Sequence, residues 1–308
     1  MKKILIAVVA LIVILGAWYL ITAPQNDSGL SHIEQNSDPL NATYIIDGES
    51  ITLVNGSAKK EIAPDSASVV ETSYFGNEVY TDLNNDGRED VVFLLTQNSG
   101  GSGTFFYVVA ALNTEDGYVG SHGLLLGDRI APQTTEVSQN PSHKNVIVVD
   151  YTDRAPGESF ATQPSVGKSI WLKLDTATMQ FGEVEQNFEG EANPDVMTLD
   201  MKTWTWIKTT YNNDTELVPN ESKAFTITFK DNNTFSATTD CNVMSGGYEV
   251  HDNQITFDEN IAMTKKFCEG SQEQDFASLL GEIHSFFFTS KGGLVFDLQF
   301  DSGSAVFQ

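Results

Sequence analysis

Only two cysteines occur in 308 residues. That is too few for a disulfide-built scaffold, and without a histidine pair at ligand spacing it is the wrong set for zinc. The five histidines, His32, His122, His143, His251 and His284, are scattered. No His-x-x-x-His or His-Glu pairing occurs, so metallohydrolase chemistry has little support. The Gly-x-Ser-x-Gly elbow of serine hydrolases is missing as well. Positive charge is scarce: 17 Lys and Arg stand against 42 Asp and Glu, a formal net charge of −25. Such a surface repels phosphate backbones, so nucleic acid is not an expected partner. It also repels anionic headgroups, which disfavours membrane contact beyond an anchor. Solubility, cation binding and basic partners are what it favours.

What is present begins with Lys2-Lys3 and an almost unbroken apolar run, Ile4 to Ala23. Twenty helical residues rising ~1.5 Å each match the roughly 30 Å hydrocarbon core of a bilayer. Trp18 and Tyr19 lie near the far end, where amphipathic rings favour the headgroups. The expectation for 1–23 is a transmembrane signal anchor, with the lysines cytoplasmic and the remainder outside. A cleaved signal peptide is the alternative, although its apolar region usually spans only about 7–15 residues. Residues 24–40 contain two prolines, many Asn, Ser, Gln and Asp, and no periodicity; they read as a flexible stalk.

The rest is patterned for strands. Tyr44–Asp47 and Ser50–Val54 read as a hairpin around Gly48. Runs rich in Val, Ile, Phe and Tyr follow at Val79–Leu83, Asp90–Thr96, Thr104–Asn113, Asn145–Tyr151 and Ser169–Asp175. Residues 41–185 are therefore expected to form one antiparallel, mainly β domain with its own core. The polar stretch 186–202, which contains Asn193-Pro194, is read as the linker. From Trp204 the pattern restarts with Ala224–Lys230, Thr234–Thr239, Gly247–His251, Gln254–Phe257 and Ile261–Thr264. Phe276, Leu279, Leu280 and Ile283 fall at helical spacing, and Ser285–Thr289, Leu294–Phe300 and Ala305–Phe307 close the chain as strands. In Phe286-Phe287-Phe288 alternate rings face opposite sides of a sheet, so the run reads as core. For residues 203–308 one helix over a strongly curved antiparallel sheet is the economical α+β fold.

Both cysteines lie in this part. Asp240-Cys241-Asn242-Val243-Met244-Ser245-Gly246-Gly247-Tyr248 is answered by Thr264-Lys265-Lys266-Phe267-Cys268, with Trp204-Thr205-Trp206 upstream and an amphipathic run from Asp275 to Phe286 downstream. This combination resembles the META domain family, which includes HslJ-like proteins, with Asp240 where the family usually has glycine. The resemblance implies the same curved sheet and helix, a place in the cell envelope, and no catalytic residues. In an oxidising space Cys241 and Cys268 pair, and closing a loop of that size is valued at roughly 3–4 kcal/mol. Two buried reduced thiols are the alternative.

The sharpest local motif is Asp82-Leu83-Asn84-Asn85-Asp86-Gly87-Arg88-Glu89-Asp90. Calcium takes six to eight hard oxygens, and alternate side chains at Asp82, Asn84 and Asp86 offer three of them. The carbonyl of Arg88 and the side chain of Asp90 add more, and Gly87 permits the turn. Phe93 stands where an EF-hand has its bidentate glutamate, so the loop instead resembles those of dockerins and FG-GAP blades. The expected cofactor is a structural Ca2+; an Asx-rich turn needing no metal is the plain alternative. Gln97–Thr104 lacks the Lys-Ser/Thr and following helix of a phosphate loop and reads as a hairpin loop. Segments around DLNNDGREDVVFLL and VVDYTDRAPGE resemble an uncharacterised domain seen before META domains.

A candidate polar cleft gathers Arg129, Asp153, Arg154 and Glu158. In it the arginines are anion clamps and Asp153 or Glu158 a general base; loop-anchoring ion pairs are the bland reading. The expected function is that of a membrane-anchored, exported, non-enzymatic envelope protein that binds a protein or envelope component. An envelope hydrolase working through the Arg154 cluster, and a holdase with an exposed apolar patch, are the competitors.

Overall fold

The protein is described from a computed structural model that covers residues 38–62, 68–213 and 215–308. The expected anchor 1–23 and most of the expected stalk lie outside the described residues. Among the described residues no helix is long and apolar enough to cross a membrane.

Strand-forming runs dominate the fold as their β-branched and aromatic content dictates. In the first lobe β1 (Thr43–Ile46) and β2 (Glu49–Thr52) form a hairpin over Asp47-Gly48, both with positive φ. A six-stranded antiparallel sheet follows: β3 (Ser57–Glu61), β4 (Val69–Thr81), β5 (Asp90–Asn98), β6 (Phe105–Thr114), β7 (Gly117–Gly120) and β8 (Leu124–Asp128). The last two strands share β6, one pairing with each of its ends. Next comes a four-stranded sheet of β9 (Ala131–Val137), β10 (Val146–Asp153), β11 (Val166–Asp175) and β12 (Gln180–Glu183), in the order β12-β11-β10-β9.

These sheets stack. Val91, Phe93 and Leu95 on one face of β5, with Tyr107, Val109 and Ala111 of β6, pack under the β1–β2 hairpin around Tyr44 and Ile46. Val92, Leu94, Val108 and Ala110 on the opposite face pack against Ile147, Val149 and Leu172 of the four-stranded sheet. Because both faces of β5 are covered, its sequence is a continuous apolar run and does not alternate. On its far face the four-stranded sheet holds Val146, Val148 and Trp171, covered by Val184 and Phe188. The start of the polar stretch after Glu183 thus lies on this sheet, held by Phe188 and by Glu191, which accepts from Trp171 Nε1 at 3.0 Å.

The second lobe is a ring. Its strands are β13 (Thr203–Tyr211), β14 (Glu216–Leu217), β15 (Thr226–Lys230), β16 (Thr234–Thr238), β17 (Val243–His251), β18 (Gln254–Phe257), β19 (Ala262–Met263), β20 (Ile283–Phe288), β21 (Leu294–Leu298) and β22 (Gly303–Phe307). Residues Thr203–Thr205 of β13 pair with β15, and Trp206–Tyr211 pair with β22, so this one strand closes an eight-stranded circuit. Closure leaves few open edges. The helix α1 (Glu273–Glu282) buries Phe276, Leu279 and Leu280 into the ring, with Phe276 5.5 Å from Trp206 and 5.4 Å from Phe225 between ring centroids. The expected mainly β architecture, with a curved α+β C-terminal sheet on one helix, is what the chain adopts.

Some boundaries differ from expectation. The periodicity carried the helix to Ile283, but α1 stops at Glu282 and Ile283 opens β20 with extended backbone, φ −65 and ψ 138. Ile283 is still buried in the same core, so a residue on the helical stripe fills the same space from a strand. The strand expected at Gly247 begins at Val243, and that expected over Ile261–Thr264 shrinks to Ala262–Met263. Phe286 and Phe288 enter the ring core, while Phe287 is buried outside it.

Phe287 meets the four-stranded sheet at Gly167. A β-carbon on Gly167 would stand 2.4 Å from the Cβ of Phe287, closer than packed atoms tolerate. We therefore expect Gly167→Ala to lower stability by roughly 1–3 kcal/mol in urea unfolding, with the far-UV spectrum preserved. An unchanged midpoint would mean that the two lobes do not pack this closely.

Candidate functional site

Three places could carry chemistry. At the first, the loop Asp82–Asp90, the side chains are turned onto the backbone. Asp82 accepts from the amides of Asp86 (3.1 Å) and Gly87 (2.8 Å), and Asn84 Oδ1 accepts from Asp86 N at 3.0 Å. Asp86 accepts from Arg88 N at 2.9 Å and from the Arg88 guanidinium at 2.5 Å. The backbone bond from Arg88, ahead of the side-chain contacts, holds the Asp86 carboxyl below its usual range. Asp90 is buried at the start of β5, where it accepts from Leu83 N (2.9 Å) and Asn113 N (2.8 Å), while burial pushes its carboxyl upward. Asn85 and Gly87 supply the positive φ values of the turn. Asp82, Asn84 and Asp86 are exposed enough to offer oxygens to a hard cation, and Asp90 is the group that ties the loop to β6. Among the described residues no three His, Cys, Asp or Glu side chains converge as a metal-holding group.

At the second place, Arg129, Arg154, Asp153 and Glu158 are near one another but each is engaged locally. Arg129 forks onto Asp128 at 2.7 and 3.1 Å, and this bond holds the Asp128 carboxyl low. Its guanidinium carbon lies 4.0 Å from the centroid of the Phe160 ring, and that of Arg154 lies 5.7 Å away. Arg154 donates to the carbonyls of Thr162 (2.5 Å) and Arg129 (2.7 Å). Asp153 pairs with Lys168 at 2.7 Å, and Glu158 accepts from Ala155 N at 2.8 Å. The arginines staple the Arg154–Thr162 loop to the end of β8. Phe160, which sits between them, was not singled out by sequence; nothing in a lone loop phenylalanine announces it.

The third place is the Cys241–Cys268 loop. The two are disulfide-bonded, with Cα atoms 5.9 Å apart across 27 residues of sequence. Beside the bond, buried Asn242 organises the opposite segment. Its Oδ1 accepts from Thr264 Oγ1 (2.7 Å) and Lys266 N (2.9 Å), while its Nδ2 donates to Lys266 O (2.9 Å) and Glu273 Oε2 (2.7 Å). The amide thus uses both its acceptor and both its donor positions. Asp240 anchors the start of α1 by accepting from Gln272 N at 2.9 Å and Ser271 Oγ at 2.5 Å. Between the two pinned points the chain projects Phe267, 89% exposed, next to exposed Lys265 and Lys266. Among the described residues neither lysine is ion-paired. The Cys-Asn pair and the Thr-Lys-Lys-Phe-Cys segment were legible as a motif; the role of Asn242 as the clamp was not.

The model of the META domain family matches residues 197–305, the C-terminal third, which contains the whole of this third place. No curated protein matches the chain. Among solved structures, the NMR structure of a protein from Burkholderia xenovorans is similar at 17% identity and a TM-score of 0.33, over 41% of this chain and 97% of its own.

The disulfide and the Asn242 clamp act on the same loop from two sides. Replacing both cysteines, C241S/C268S, is expected to cost roughly 3–4 kcal/mol through the freed 27-residue loop. Asn242→Ala is expected to cost about 1–3 kcal/mol through the unpaired backbone of Lys266. Urea unfolding of each variant measures these losses, and a cost near zero for both would mean that the ring alone fixes the loop.

Proposed function

We propose that the chain is a membrane-anchored, exported, non-enzymatic binding protein of the cell envelope, and that it engages an acidic protein partner through the loop Thr264–Cys268. The observation that carries this reading is the pinned presentation of Phe267 between the disulfide and the adjacent lysines. With the backbone on both sides of Phe267 fixed, an aromatic side chain placed there has less backbone freedom to lose on binding, a property that suits interface anchors. Lys265 and Lys266, unpaired among the described residues, stand beside it on a chain of net charge −25. That local inversion of sign favours carboxylates around the pocket that receives the ring and steers the encounter. Export is supported by the apolar run Ile4–Ala23 after Lys2-Lys3, and by the pairing of the two cysteines.

The hydrolase reading has less behind it. Arg129, Asp153, Arg154 and Glu158 all serve local contacts, and Glu158 lies exposed on its loop. A general base needs a substrate held within hydrogen-bonding reach, and these four side chains do not enclose one. A structural calcium ion in the 82–90 loop belongs to the proposal. It would take oxygens from Asp82, Asn84, Asp86 and the Arg88 carbonyl and offset the crowded carboxylates.

Two measurements test this. A photo-crosslinking residue at position 267 of the full chain, in intact envelope, is expected to give a discrete protein adduct, weakened several-fold by K265E/K266E. The same residue at Phe300, 91% exposed, is expected to give none. Equal adducts from both positions, adducts to lipid alone, or none at 267 would refute the partner. For the metal, melting in calcium against chelator is expected to show a higher Tm with calcium, lost on Asp86→Ala; coincident curves would leave the loop an ordinary turn.

A further inference from the structure

The far face of the four-stranded sheet changes character along its length. Val146 and Val148 of β10 are apolar, but the next two residues on that face are Asp150 and Thr152. Here the sheet meets β20 and β21 of the ring. Gln133 and Thr134 come from β9 and Ser169 from β11; Ser285 and Phe287 come from β20 and Asp297 from β21. Gln163 reaches across to the carbonyl of Leu298 at 2.8 Å and accepts from Phe300 N at 3.1 Å, and Ser290 O accepts from Ala192 N at 2.7 Å.

Two carboxyl groups are sealed into this contact, Asp150 with 0% and Asp297 with 4% of its surface exposed. Asp150 accepts from Thr134 Oγ1 (2.7 Å) and Ser169 Oγ (2.5 Å). Asp297 meets Ser285 Oγ at 3.2 Å, the side-chain amide of Gln133 and the hydroxyl of Thr152. Among the described residues neither forms an ion pair. The charged groups that face Asp150 are Glu136 and Lys291, which pair with each other at 3.1 Å. Asp297 is faced by Asp301, itself influenced by Arg154 and His284. A buried carboxylate with only neutral donors costs more than the same group protonated. Among the described residues the side-chain oxygen of Gln133 is also buried without a partner, a further polar cost of this contact.

We propose that this contact is a pH-sensitive joint between the two lobes, closed most tightly in acid and loosened as Asp150 and Asp297 ionise toward neutral and alkaline pH. The joint lies within the described unit and is independent of the partner proposed for Phe267. Burial, partly offset by the hydroxyl bonds, raises Asp150 from 3.8 to about 6 and Asp297 from 3.8 to about 7. The closed form therefore binds protons that the open form has released. The resulting stabilisation is fully present below the open-state value and is lost as pH rises through about 6 and then about 7.

Amide hydrogen exchange on the full chain in detergent, corrected for intrinsic rates, reads the joint directly. Opening of residues 146–153 and 283–298 is expected to be about tenfold or more easier at pH 8 than at pH 5, since each unit of pKa shift is a factor of ten. Strands β15 and β16, remote from the contact, are expected to change little. D150N and D297N are expected to flatten the dependence and to keep the segments protected at pH 8. A flat wild-type profile, or a full dependence surviving in D150N/D297N, would overturn the proposal. Should the variants not fold, carboxyl-carbon NMR of the wild type decides: midpoints well above 4 for both aspartates support the joint, and midpoints near 4 overturn it.

Discussion

A β-strand that is apolar on both faces has to be covered twice, and that requirement organises the whole first lobe. Val91, Phe93 and Leu95 point one way from β5, Val92 and Leu94 the other, and all five are buried. Neither side can face water without losing on the order of 25 cal/mol for each Å2 of apolar surface exposed. The β1–β2 hairpin covers one side and the four-stranded sheet the other. The four-stranded sheet in turn has a second face, where Val146, Val148 and Trp171 also need cover. Val184 and Phe188 cover these, and the ring of the second lobe covers the remainder. The layers exist in this order because each one leaves an unfinished face for the next.

How much of this could be read from sequence follows from the same physics. Long two-sided runs such as Asp90–Thr96, dense in Val, Leu and Phe, and Asn145–Tyr151, dense in Val and Ile, stand out plainly. They were located almost to the residue. By contrast β9, Ala-Pro-Gln-Thr-Thr-Glu-Val, has polar side chains because one of its faces lies against a polar interface, so it leaves no apolar signature. Ile283 misled for a different reason: strand and helix both bury it in one core, and spacing alone does not separate them. Asp150 and Asp297 were invisible as a pair. Each sits in an ordinary strand pattern 147 positions from the other, and only tertiary stacking brings both to one surface. The Cys241–Cys268 pair, which the structure joins as a disulfide, and the proposed calcium loop Asp82–Asp90 have the opposite property. Their chemistry is local or motif-bound, so their spacing carries it.

The second lobe solves its packing problem by closure. Because β13 pairs with β15 along one part and β22 along another, it closes the ring and leaves it few open edges. Trp204, Trp206, Phe225 and Phe276 fill it from within. The binding role proposed above falls on what projects from this filled ring, the loop between Thr264 and Cys268. Disulfide and Asn242 hold its flanks, leaving Phe267 no core to retreat into.

The contact between the lobes runs against the logic of the rest. Elsewhere the covered sheet faces are finished with apolar side chains, whereas here hydroxyls, amides and two carboxyls fill a space that valines would fill at lower cost. Buried polar groups favour one arrangement over others, but an all-neutral set of Thr, Ser and Gln would do that without carboxyls. What Asp adds to such a set is a proton that can leave. Phe287 against Gly167 keeps the surfaces close enough to exclude water, and that exclusion makes the presence or absence of each proton costly. Apolar packing and the buried acids therefore act as one device: the first sets how strongly the second responds to pH.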